Sequence, residues 1–65
     1  MWTREKVRDL MRDVAQGAAD AGDIDDSMAF DIADGVLASE PGLEEFLRND
    51  MGIADPMGYV ANYIA

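Results

Sequence analysis

The sequence predicts an all-α protein, a small bundle of about four short helices. Three observations predict it. Apolar residues recur at three- and four-residue steps in separate segments of the chain. Glycine and proline punctuate the gaps between those segments. No alternating run of β-branched residues is long enough for a strand. With 65 residues the chain makes one helical domain, residues 1–65. A domain of this size buries only about 60% of the surface its unfolded chain exposes, so its stability is marginal. Apolar residues make up 49% of it, enough to fold despite a net charge of −9.

The first helix has the clearest pattern. Val7, Leu10, Met11, Val14, Ala15 and Ala18 share one face. Thr3 is suited to cap its start and Gly22 to end it. Glu5 can pair with Arg8, and Asp9 with Arg12, on the outward side. A second helix begins near Asp25 or Asp26, either of which can cap it. Met28, Ile32 and Val36 lie one above another there and predict its inward stripe, with Ala29, Ala33 and Leu37 beside them. Phe30 falls on the flank of that stripe.

Pro41 and Gly42 then interrupt the chain. Proline suits the first turn of the third helix, whose apolar face is Leu43, Phe46 and Leu47, and Gly52 closes it. In the last segment Asp55 is the expected N-cap and Pro56 the first helical residue. Met57, Val60, Ala61 and Ile64 keep a helical rhythm, and Tyr59 and Tyr63 stack on a neighbouring strip.

Composition narrows the chemistry. The chain has no cysteine, so neither a disulfide nor a thiolate metal site can form. It has no histidine, the commonest general base and zinc ligand. Ser27 and Ser39 therefore lack a histidine to activate them, and Lys6 sits in a charged helix start. We expect no enzyme and no cofactor. There is no run of about 18 apolar residues to span a membrane. The opening "MWTREKVRDLMRD" lacks the apolar stretch of a secretory signal, which predicts a cytoplasmic protein.

Charge is the outlying property. Residues 1–12 carry Arg4, Lys6, Arg8 and Arg12 against Glu5 and Asp9, a net of +2. Residues 13–65 carry twelve acids against Arg48 alone, a net of −11. The stretch "DAGDIDDSMAFDIAD", residues 20–34, holds six aspartates in fifteen positions. One reading of it is a calcium loop, with Asp23, Asp25, Ser27, Asp31 and Asp34 at the ligand positions of an EF-hand. That reading breaks where Met28 replaces the glycine of the sharp turn and Asp34 the bidentate glutamate. Met28 and Ile32 also keep helical rhythm through the supposed loop, so we expect no metal.

The remaining reading is a charged surface that acts as a surface. Asp31 and Asp34 are three apart on one helix, so their Cβ atoms are about 5–6 Å apart. That spacing is comparable to phosphates along a DNA strand, where the axial rise is about 3.4 Å per nucleotide. A row of carboxylates can thus imitate a phosphate row and draw a basic protein, while repelling nucleic acid and anionic lipid. The carboxylates expected to meet the partner are Asp23, Asp25, Asp26, Asp31, Asp34, Glu40, Glu44 and Glu45. Each would accept hydrogen bonds from arginine or lysine. Acidic faces are often merely solvated. The alternative is therefore an acidic helical interaction module, for instance a homodimer with Val7, Leu10, Met11 and Val14 as its seam.

In size, lack of cysteine, acidity and helical pattern, with "DAGDIDDSMAFDIAD" and "SEPGLEEFLRND" carrying the likeness, the chain resembles the small phage-encoded anti-CRISPR proteins. It looks most like those that inhibit the multi-subunit type I surveillance complexes. No diagnostic motif underlies the resemblance. It implies binding to a basic, DNA-handling surface of a Cas protein in the host cytoplasm, with target DNA excluded. The basic Arg4, Lys6, Arg8 and Arg12 depart from a uniformly acidic mimic. Anti-restriction proteins and inhibitors of uracil-DNA glycosylase fit the same charge argument.

Overall fold

Four helices follow one another along the chain in a computed structural model that describes residues 1–64. They are α1 (Arg4–Ala21), α2 (Asp26–Ser39), α3 (Leu43–Asn49) and α4 (Pro56–Ile64). Three of the four starts are made by the expected caps. The Thr3 hydroxyl accepts from the Lys6 N–H at 3.1 Å, and the Asp25 carboxylate from the Met28 N–H at 2.8 Å. The Asp55 carboxylate accepts from the Gly58 N–H at 3.2 Å, with Pro56 in the first helical position. α3 differs. Gly42, at φ 79°, stands at its N-cap without a side-chain bond, and Pro41 lies one residue further out in the turn.

Both glycine stops have positive φ, 99° at Gly22 and 68° at Gly52, which only glycine adopts without strain. Past Gly52 the chain folds back on the end of α3, and the Ile53 N–H donates to the Leu47 carbonyl at 2.9 Å.

α4 is the shared packing partner of the other three helices. It contributes Pro56, Val60, Ala61 and Ile64 to the core. α1 contributes Val7, Met11 and Ala18, and α3 contributes Leu43 and Leu47. No polar or charged residue is buried among the described residues. The N-terminus is tied to α3 from both sides. The Trp2 indole N–H donates to the Pro41 carbonyl at 2.8 Å, and the ring lies over Gly42. The Arg4 guanidinium donates to the Asp50 carbonyl at 3.2 Å. Trp2 is thereby engaged inside the molecule.

Two expectations need correction. The most deeply buried line of α2 is Ala29 and Ala33, with Ile32 and Val36 packed against the core beside it and Met28 outside. Met28 is 46% exposed, while Ile32, Val36 and Leu37 are half-buried beside the alanines. The physical reason is close approach: α2 packs chiefly on α4, and small side chains let two helices come near. The pairs Glu5–Arg8 and Asp9–Arg12 do not form. Among the described residues the ion pair present is Arg48–Glu44, at 3.6 Å within α3. Exposed pairs one turn apart gain only a few tenths of a kcal/mol, too little to hold long side chains in one geometry.

The packing makes a contrast that urea denaturation followed by circular dichroism will show. Met28→Ala should change stability by no more than about 0.5 kcal/mol, as at other surface positions. Ala33→Leu should cost about 1–3 kcal/mol by overfilling the α2–α4 contact. The stripe first expected would give the opposite order.

Candidate functional site

α2 carries the centre of the acidic surface. Asp25 caps it and Asp26 opens its first turn, where carboxylates sit favourably against the helix dipole. Asp31 and Asp34 are both exposed and lie roughly opposite the buried Ala29–Ala33 line. Asp23 lies in the short connection that leads into this helix. Glu40, half-buried, caps its other end. Glu44 and Glu45 follow in the first turn of α3. The eight expected carboxylates are therefore strung along α2 and its two ends. At about 1.5 Å per residue, α2's fourteen residues separate those ends by about 21 Å.

Their freedom differs. Asp25 already accepts from the Met28 N–H, and Glu44 already faces Arg48. Asp23, Asp26, Asp31, Asp34 and Glu45 are exposed with no ion-pair partner among the described residues. Asp31 and Asp34 are therefore the best placed on the helix to meet an incoming cation. The calcium-loop geometry does not arise, because helix begins at Asp26 and runs straight through the positions where the loop would turn.

Two features escaped the sequence reading. Phe30 is 47% exposed, so an aromatic ring stands on the surface beside the aspartates of α2. The signal was present: apolar residues between Met28 and Leu37 cover more than half the helical wheel, too broad an arc for one neighbour to bury. The second is the exposure of Asp13 and Asp20 on α1, which with the outward Asp9 spread negative charge beyond α2.

Tyr59 and Tyr63 meet edge to face, with ring centroids 5.3 Å apart and planes at 67°. Tyr63 is 46% exposed and Tyr59 half-buried. No enclosed pocket forms among the described residues. No helix among them is long and apolar enough to cross a membrane. No family model, curated protein or solved structure matches this chain.

Burial, and then the neighbouring Tyr63 hydroxyl, push the Tyr59 phenol up from 10.0 to about 12. Between those values the unfolded chain has lost a proton that the folded chain retains, so stability falls as pH rises through this window. Absorbance at 295 nm should show one tyrosine ionising late. Tyr59→Phe should remove both that late step and its share of the alkaline loss of stability.

Proposed function

We propose that this protein is a non-enzymatic inhibitor that binds a basic nucleic-acid-binding protein through its acidic surface and so blocks DNA binding. The observation that carries the reading is the outward face of α2. Asp31 and Asp34 lie one turn apart, exposed and without a basic partner among the described residues. The excess is large. Twelve acids against one base in residues 13–65 exceed what solubility needs, since a net charge of about 2–8 in magnitude suffices for a small domain.

On this reading the carboxylates stand in for phosphates. The arginines and lysines that normally hold DNA donate to Asp31 and Asp34, with Asp23, Asp26 and Glu45 extending the row. Asp25 and Glu44 join it with part of their capacity already used, and Glu40 from its half-buried end. Long-range attraction speeds the encounter and weakens with salt. The resemblance to anti-CRISPR proteins supplies the kind of target, a DNA-handling subunit of a type I CRISPR-Cas complex in the host cytoplasm. The apolar seam of the alternative reading is less available. Val7 is 1% and Met11 0% exposed within the monomer, so both side chains are already engaged.

A pull-down of host-lysate proteins with the tagged chain, at about 0.1 M and then about 0.5 M salt, tests the reading. A DNA- or RNA-handling protein should be recovered at low salt and lost at high salt. Asp31→Lys with Asp34→Lys should abolish its capture while circular dichroism stays helical. Undiminished capture by that double variant would count against acidic mimicry.

A further inference from the structure

α1 breaks two local rules at once. Arg4, Arg8 and Arg12 recur at four-residue steps and form one row along its N-terminal half. Like charges at that spacing repel, and cations sit badly at a helix N-terminus, where the dipole is already positive. Among the described residues Arg4 alone of the three finds an internal partner, the Asp50 carbonyl at the C-terminal end of α3. All three are exposed, and among the described residues none has a carboxylate partner, although the chain holds fourteen acids. Arg8 and Arg12 make no side-chain hydrogen bond among the described residues. At Arg8 and Arg12 the rule is broken without internal compensation among the described residues, which marks a surface used for something else.

α2 holds a row of the same length and complementary chemistry. Asp26, Phe30 and Asp34 also recur at four-residue steps, and all three are exposed. Each row spans about 12 Å at about 1.5 Å per residue. Both are symmetric about their centre, arginine–arginine–arginine against acid–aromatic–acid, so they register in either direction. We propose that the Arg4–Arg8–Arg12 row docks on the Asp26–Phe30–Asp34 row of a second copy of this chain. The outer guanidiniums donate to the two carboxylates, and the Arg8 guanidinium lies on the Phe30 ring.

The lengths favour a second copy over a nucleic acid. The arginine row is short, and Glu5, Asp9 and Asp13 share its helix. An extended polyanion would run off the row onto a repelling surface. A second copy needs only a matched patch, with charges beyond about 10 Å screened at about 0.1 M salt. Two copies at −9 each still repel outside the contact, so the pair is weak and transient. Each molecule holds one row of each kind, so the contact joins unlike rows of two copies. The contact stands apart from the function proposed above, although a basic target would compete for the same face of α2.

Sedimentation velocity of the full chain at about 0.1 M salt, over rising concentration, tests it. The native protein should associate. Arg4→Glu with Arg12→Glu should weaken self-association by roughly tenfold or more, as should Asp26→Lys with Asp34→Lys in a separate protein. An equimolar mixture of the two should associate again, because the end charges are then exchanged and Arg8 still faces Phe30. Phe30→Ala should weaken the native contact without changing charge. If Asp26→Lys with Asp34→Lys loses helicity, Asp26→Asn with Asp34→Asn replaces it, and its self-association should still fall. A native chain that stays monomeric overturns the proposal. So does a mixture of the two folded reversed variants that fails to associate, or a Phe30→Ala chain that associates as well as the native one.

Discussion

The burial of α4 among the other three helices is the interaction on which the rest of this fold depends. A chain of 65 residues has little apolar surface to hide and no cysteine to staple it. One short helix packed against all three neighbours uses that surface efficiently. Ala29 and Ala33 make room for this by letting α2 approach closely. The same choice turns α2 so that its aspartates face outward and its larger apolar residues reach the flanks. Core packing and the acidic surface are thus two sides of one rotation of α2.

Charge works against this small core. With −9 spread over so little surface, self-repulsion favours expansion. The fold keeps every charge out of the core. It also ties its basic end down with directed bonds, from Trp2 to the Pro41 carbonyl and from Arg4 to the Asp50 carbonyl. These bonds cross 39 and 46 residues of sequence and fasten the start of α1 to both ends of α3. They do not depend on a carboxylate, so salt leaves them largely intact. Among the described residues the acids meanwhile stay free of internal cations, apart from Glu44 facing Arg48. An acidic surface that its own arginines leave uncovered is ready for cations from elsewhere, whether a basic target or another copy.

What was legible in the sequence was local. The caps at Thr3, Asp25 and Asp55 and the stops at Gly22 and Gly52 each depend on one side chain or one φ angle near the residues they serve. They stand where they were expected. The inward stripe of α2 was misread because its apolar arc is broad, and a broad arc does not say which part meets a neighbour. The exposed aspartates at 31 and 34 were legible as polar positions on a helix. The engagement of Glu44 by Arg48 and the half-burial of Glu40 needed the fold. So did the exposure of Phe30, because its burial depends on where α4 lies and not on its own neighbours in sequence.

By itself the sequence determined the helices, their ends, and an acidic body with a basic start. Helix periodicity, capping and charge are properties of near neighbours along the chain, and they act before any tertiary contact exists. The tertiary structure alone decided which face of α2 is inside and which carboxylates are free. It also left the arginine row of α1 without a carboxylate partner among the described residues. Those outcomes depend on how closely two helices can approach, and side-chain volume decides that only once α4 is in place.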